Sequence, residues 1–160
     1  MTFSVNATSG LLQASTPNSV AVVTPVNAQT SSIPQGTNAL RLLGVARAVS
    51  GNSTGDAAVM NIINSSSWVA TSMVTANGQV SGVAGSIATL ALGLFTAAAA
   101  GGTAIVANAA LSNNSAAGRA IVLAASVVNA AQTAQQIYVN VGTALANSTV
   151  DVFLYGYDLS

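Results

Sequence analysis

The chain has 160 residues, a length that suits one compact domain. Its six charged residues are three Arg and three Asp, and it contains neither His nor Cys. An average protein of this length would carry roughly 40 charged residues. A Ser-His-Asp triad, a thiolate or imidazole metal site, a Lys Schiff base and a P-loop all require residue types that are absent. We therefore expect a protein that is not an enzyme and that holds no cofactor and no metal.

The small number of charged residues also limits which partners the protein can bind. Arg41, Arg47 and Arg119 are too few and too widely spaced to displace the counterions of a nucleic acid, so we expect no nucleic-acid partner. Apolar residues make up 51% of the chain, which is enough for a buried core and argues against bulk disorder. A net charge of zero removes the repulsion that keeps protein surfaces apart. The composition therefore predicts a protein that works within an assembly.

Residues 1–38 differ from the rest because they contain every proline of the chain, namely Pro17, Pro25 and Pro34. Proline is rare inside central strands and helices, so we predict an extended N-terminal arm with at most one short edge strand, at Val20–Val23. The apolar residues of this arm either fold back onto the body or contact a neighbouring subunit. They are Phe3, Val5, Leu11 and Leu12.

From residue 39 onwards, apolar runs of strand length alternate with clusters of Gly, Asn and Ser, a pattern typical of all-β proteins. Asn77-Gly78 predicts a tight hairpin turn, because both residues tolerate a positive φ. The alanines of Thr96–Ala100 favour a short helical turn. The predicted strands are Leu40–Val49, Ala58–Ile63, Trp68–Thr75, Ile87–Phe95, Ala120–Val128, Gln136–Val141 and Val150–Tyr157.

Seven or eight short strands predict an antiparallel β-sandwich over residues 39–160, with the jelly roll as the expected topology. The uncharged run Ile87–Leu111 is long enough to span a bilayer, which leaves a small membrane protein as one alternative. It is, however, rich in Ala, Gly and Thr, and the pair Gly101-Gly102 favours a turn at its centre. Buried strands joined by a turn are therefore the preferred interpretation, and we expect no membrane partner.

The carboxylates are Asp56, Asp151 and Asp158, and their spacing does not match a calcium-binding loop. Asp151 and Asp158 lie seven residues apart in one predicted strand, which places them on opposite faces and excludes a two-carboxylate hydrolase. Arg41 and Arg47 lie six residues apart in another strand, so we expect them on one face. Each could pair with an Asp of its own chain or of a neighbouring subunit, where a buried pair would set the register.

The C-terminal two-thirds contains four distinctive segments, Leu94–Ala98, Gly101–Ala107, Ile137–Ala144 and Thr149–Tyr157. With these segments, about residues 65–158 resemble small virion proteins of tailed bacteriophages. The resemblance implies a capsid decoration (cement) protein, a small jelly roll that is often a homotrimer. Such a protein binds the major capsid protein on the outer surface of the head and clamps neighbouring capsid subunits. No catalytic residues accompany these motifs.

A tail-fibre or receptor-binding virion module is the second interpretation, and it would use the same sandwich with a different partner. Such a module would expose aromatic side chains that stack on sugar rings, for which the candidates are Trp68, Tyr155 and Tyr157.

Overall fold

The computed structural model describes residues 2–5, 12–15, 40–112 and 120–160. Contacts divide the chain into two compact units, Met1–Gln35 and Gly36–Ser160.

The first unit contains two short strands, β1 (Thr2–Val5) and β2 (Leu12–Ser15), which pair antiparallel. This is one strand more than the sequence predicts for the arm. The predicted edge strand at residues 20–23 lies outside the described residues.

The second unit is built from strands, and residues 40–112 and 120–160 contain no helix. The prediction of an all-β fold is therefore confirmed. The strands are β3 (Leu40–Ser50), β4 (Gly55–Asn61), β5 (Trp68–Val80), β6 (Val83–Ala84), β7 (Ala91–Ala97), β8 (Gly101–Ala110), β9 (Ile121–Ala124), β10 (Gln136–Thr143) and β11 (Ser148–Asp158).

These strands form two antiparallel sheets that pack together as a sandwich. The order of the four-stranded sheet is β4-β10-β7-β8. In the five-stranded sheet β11 lies between β3 and β5, and both β6 and β9 pair with the other side of β5. Apolar side chains from both sheets fill the space between them. The largest that are fully buried include Leu43, Met60, Trp68, Met73, Leu94, Ile105, Ile137 and Leu154.

The sequence of the last strand alternates an aliphatic set with an aromatic and polar set, which predicts two chemically different faces, and the burial pattern confirms this alternation. Val150, Val152 and Leu154 are at most 1% exposed, whereas the residues between them are half-buried. Successive side chains of a strand point to opposite faces, so the aliphatic set lies in the core and the aromatic set lies on the other face of the sheet. Burying each such aliphatic side chain stabilises the fold by about 2 kcal/mol.

Asn77-Gly78 does not form a hairpin turn. Both residues lie inside β5, and β5 has one residue more than β11 between the pairs Ala76–Asp151 and Gln79–Thr149. Asn77 does adopt a positive φ, of 55°, but this produces a β-bulge instead of a reversal. The chain reverses direction four residues later, at Ser81-Gly82, which are the two residues that join β5 to β6. Both residues have a positive φ, as a tight hairpin turn requires.

The helical turn predicted at Thr96–Ala100 is also wrong. β7 continues to Ala97, and Ala99 and Ala100 have φ values of 56° and 54°, which a right-handed helix does not contain. Residues 87–111 therefore supply two antiparallel strands, β7 and β8. Within the described ranges there is no helix with the length and apolar character needed to cross a membrane.

Candidate functional site

A large part of the outward face of the five-stranded sheet is apolar. In the strand register Tyr157 lies between Leu40 and Val69, and directly opposed residues point to the same face. Together with the neighbouring rows this defines a surface that we call the aromatic face. Its residues are Leu40, Leu42, Val45, Val69, Ser72, Val74, Val122, Ala124, Phe153, Tyr155 and Tyr157.

None of the residues of the aromatic face is buried. Val122 is 65% exposed, Leu40 is 59% exposed and Tyr157 is 36% exposed. The solvated face of an antiparallel sheet is usually polar, yet among these eleven residues Ser72 and the two tyrosine hydroxyls supply the only polar side-chain atoms. A contiguous apolar surface of this kind marks an interaction site.

The chain's second arginine lies at one end of the aromatic face. The Arg47 guanidinium is 5.5 Å from the centre of the Phe153 ring, and its Nη1 is 3.3 Å from Oδ2 of Asp151. The Arg47 side chain is 68% exposed, so this ion pair contributes little stability. The guanidinium nevertheless extends the surface over the aromatic ring by a cation–π contact.

Asp151 connects irregularities in the two strands that flank β11. Its Oδ1 accepts a hydrogen bond from the Ala48 amide at 2.8 Å, and its Oδ2 accepts one from Asn77 Nδ2 at 2.7 Å. Ala48 lies in a bulge of β3 and has a φ of 50°, so both donors belong to bulges with positive φ. Partial burial opposes ionisation of Asp151, but the bonds from Ala48 and Asn77, with Arg47, hold its pKa below the ordinary value.

Arg41 lies in a second polar cluster, where its Nη1 is 2.7 Å from Oδ2 of Asp158. Its Nη2 donates to the carbonyls of Ile63 and Asn64. Asp158 is 1% exposed, and its Oδ1 accepts a 2.6 Å bond from the Ser65 hydroxyl. That bond, together with bonds from Ser160 and the charge of Arg41, lowers the pKa of Asp158 to about 2 against the cost of burial.

The expectation that the two arginines share a face is wrong. Arg41 and Arg47 pair with Asp158 and Asp151, which lie on opposite faces of β11. β3 has one extra residue between the pairs Leu42–Tyr155 and Gly44–Leu154, and this bulge reverses the alternation between the two arginines. Of the two kinds of partner left open by the sequence, an Asp of the same chain is the one observed.

The arm residues predicted as contacts are described only in part. Phe3 and Val5 lie in β1 and Leu12 lies in β2, whereas Leu11 falls outside the described residues. Their role in contacting a capsid or a neighbouring subunit, like that of the two arginines, stays a prediction.

The four-stranded sheet carries a hydrogen-bonded amide network that sequence reasoning missed. Asn108 Nδ2 donates to Asn140 at 3.0 Å, and Asn140 Nδ2 donates to Asp56 at 3.0 Å. Asp56 also accepts a bond from the Ala99 amide at 2.6 Å, and this bond and that from Asn140 lower its pKa. The sequence signal that points to this network is Gly142, because a glycine inside a strand often marks a close approach. A Cβ at Gly142 would lie 2.8 Å from the Asn108 side chain.

An open groove of about 550 Å³ lies where β4, β7 and β10 meet the segment before β10. Its aromatic residue is Tyr138, which is half-buried and lies opposite Phe95 and Val59 in the register. We call it the Tyr138 groove. The residues that line it are Asn61, Ile62, Thr96, Ala134, Gln135, Gln136 and Tyr138.

Of the three aromatic residues proposed for sugar stacking, one lies in the core and two lie on the surface. Trp68 is fully buried, and its indole Nε1 donates to the Ala134 carbonyl at 3.0 Å, so it has no surface for a ligand. Tyr155 and Tyr157 both belong to the aromatic face. The residue whose ring lines a groove is Tyr138.

Over the described residues, no three His, Cys, Asp or Glu side chains lie close enough together to hold a metal ion. Comparisons with models of protein families, with curated proteins and with solved structures find no match to this chain.

Proposed function

We propose that this protein is a capsid decoration (cement) protein of a bacteriophage virion, which binds the outer surface of the head and stabilises the capsid lattice. The observation that carries the proposal is the aromatic face, an exposed apolar sheet surface on a body whose two described arginines are each paired with a carboxylate. Burial of that face on the capsid would supply the binding free energy without any chemical step.

The fold proposed for this role is the jelly roll, an eight-stranded architecture that viral capsid domains use. In a jelly roll the first strand pairs with the eighth, the second with the seventh, the third with the sixth and the fourth with the fifth. When the two-residue β6 is set aside, the pairs β3–β11, β4–β10, β5–β9 and β7–β8 follow that order and support the assignment.

The size of the aromatic face argues for attachment through many weak contacts. Four strands about 4.8 Å apart and three rows of outward residues span roughly 400 Å². Burying that area yields about 10 kcal/mol, which is comparable with the cost of association. One copy would therefore bind weakly, and a homotrimer that engages the major capsid protein at several points would bind far more strongly. The trimer and the position on the head follow from the resemblance to tailed-phage virion proteins.

The proposal is tested by co-sedimentation of the purified chain with undecorated heads of the virus that encodes it. Val122 is 65% exposed on the aromatic face, so Val122→Asp places a charge within that surface, and we expect it to weaken binding by about tenfold or more. Val59→Asp is the matched control, because Val59 is 48% exposed on a strand of the other sheet. Equal binding by the wild type and Val122→Asp would contradict the proposal, as would an equal loss in both variants.

The predicted N-terminal arm is tested separately. Removal of residues 1–38 should leave a folded body that no longer coats heads, if Phe3, Val5, Leu11 and Leu12 contact the capsid or a neighbouring subunit. Circular dichroism checks folding, and the same sedimentation assay checks attachment. A truncated chain that still saturates the heads would exclude a role for the arm.

A tail-fibre or receptor-binding module is the second candidate, and the Tyr138 groove is the observation that favours it. The number of copies in each virion separates the two functions. Hundreds of copies support decoration, whereas a few tens or fewer support a fibre.

A further inference from the structure

We propose that the Tyr138 groove binds a neutral oligosaccharide. The groove is formed by β4, β7 and β10 of the four-stranded sheet, whereas the aromatic face belongs to the five-stranded sheet. The inference therefore does not depend on attachment through the aromatic face.

The Tyr138 ring supplies the apolar surface that a sugar needs. Tyr138 is half-buried, and its cross-strand partners Val59 and Phe95 restrict where the side chain can lie. Its hydroxyl makes no hydrogen bond to any residue that the structure describes. An aromatic ring held in this way presents a flat surface to the C–H groups of a pyranose and a free hydroxyl at its rim.

The polar groups around the ring are amides whose bonding capacity is only partly used. Gln136 Nε2 lies 3.5 Å from Asn61 Oδ1, and Gln135 Nε2 donates to the Thr133 carbonyl at 3.0 Å. These contacts leave the Oε1 atoms of both glutamines as acceptors and the Nδ2 of Asn61 as a donor. A sugar hydroxyl both donates and accepts, so a wall that offers both kinds of group matches it.

The residue of β7 at the groove is Thr96, which carries a hydroxyl. Thr96 Oγ1 accepts a bond from the Thr103 amide at 2.8 Å, which directs its own proton away from that amide. Thr96 is among the residues that line the groove.

The charge of the groove selects against ionic ligands. None of its seven lining residues is charged. Arg41 and Arg47 are each held by a carboxylate elsewhere in the fold. A phosphate or carboxylate ligand would find no guanidinium here, and a cationic ligand would find no carboxylate. The chemistry therefore matches a neutral sugar.

The wall of the groove is held rigid by the buried indole. Trp68 Nε1 donates to the Ala134 carbonyl, and the backbones of Trp68 and Gln132 exchange two hydrogen bonds, of 3.0 and 2.7 Å. The Ile62 amide also donates to the Gln135 carbonyl at 2.9 Å. A segment fixed in this way loses little conformational entropy when a ligand binds. Because the groove is open, we expect a Kd of about 1 mM.

The test is a titration of the full chain, labelled with nitrogen-15, by NMR with maltotriose, cellotriose and chitotriose in separate experiments. We expect at least one of them to shift the amide or side-chain resonances of Asn61, Gln135, Gln136 and Tyr138. The absence of such shifts with all three at about 20 mM, well above the expected Kd, would overturn the proposal.

Variants separate stacking from any effect on the fold. Tyr138→Ala should weaken binding by about tenfold, because it removes the ring, and Tyr138→Phe should stay within about threefold of the wild type. Val83→Ala is the control, since it removes part of an exposed side chain from β6 of the other sheet, outside both proposed surfaces, and should leave binding unchanged. Wild-type affinity in Tyr138→Ala would overturn the site, and tighter binding of the charged sugar 3′-sialyllactose than of the three neutral probes would overturn the ligand class.

Discussion

The Asp151 carboxylate accepts a hydrogen bond from the Asn77 side chain at 2.7 Å, and this bond joins β11 to a bulge in its neighbour β5. The same relationship recurs at Asp56, which binds the amide of Ala99, a residue with a φ of 56°. Carboxylates in this chain thus stabilise positions where the backbone departs from regular strand geometry.

The role of Asp151 predicts the effect of removing its charge. Asp151→Asn should lower the free energy of unfolding by about 1–3 kcal/mol, because the backbone donor at Ala48 and the amide of Asn77 lose a charged acceptor. Urea denaturation measures the change. Arg47→Met is the control, and we expect it to cost at most about 1 kcal/mol because the Arg47 pair is exposed. A larger loss for Arg47→Met than for Asp151→Asn would assign the stabilisation to the ion pair.

The lowered pKa of Asp158 predicts that the stability of the fold depends on pH. Its pKa of about 2 in the folded state lies below the value of 3.8 for a free side chain. Its ionised form therefore stabilises the fold above pH 4, by about 2 kcal/mol, and this contribution is lost as the pH falls through the folded pKa. The lowered pKa values of Asp56 and Asp151 act in the same direction.

Denaturation midpoints measured between pH 2 and pH 6 would check this. We expect the wild type to lose stability as the solution is acidified below about pH 4, and Asp158→Asn to show a weaker dependence. A variant with the same pH profile as the wild type would show that Asp158 does not contribute.

Thr75 is the site of a stabilising substitution. Its side chain is fully buried between the sheets, and its Oγ1 has no hydrogen-bond partner among the described residues. Thr75→Val replaces the unpaired hydroxyl with a methyl group of similar shape, so we expect a gain of about 1 kcal/mol in thermal or urea denaturation. Thr71→Val is the matched control and should destabilise, because the Thr71 hydroxyl donates to the Tyr155 carbonyl at 3.1 Å. A loss of stability in Thr75→Val would contradict this account.

A substitution at Gly156 tests whether the close approach of β11 and β5 leaves room for a side chain. A Cβ at this position would lie 2.1 Å from the Val69 carbonyl oxygen and 2.6 Å from Leu43 Cδ1. Gly156→Ala should therefore destabilise the protein by about 3 kcal/mol or more, or prevent folding. Gly85→Ala serves for comparison, because its Cβ would meet the Val80 side chain at a tolerable 3.3 Å. Similar stability of the two variants would show that the sheet adjusts to an added methyl group.

The aromatic face could be predicted in part from the sequence, whereas the Tyr138 groove could not. The alternation of Val152 and Leu154 with Phe153 and Tyr155 placed an aliphatic and an aromatic set on opposite sides of β11, and the structure confirms this. The Tyr138 groove could not be found in this way. Asn and Gln are so common in the chain that the three amides of the groove did not stand out, and they come from two segments about 75 residues apart.

The amino-acid sequence alone established that the body is built from strands, because a period of two in hydrophobicity is a local property of each segment. It also established which reactive side chains are missing. The tertiary structure decided everything that depends on distant partners. Asn77 lies in a bulge instead of a turn, where β5 continues to pair with β11 and its side chain binds Asp151, 74 residues away. Arg41 and Arg47 separate to opposite faces because β3 gains a residue relative to β11. Each outcome is a contact between strands, and no local pattern encodes which strands will become neighbours.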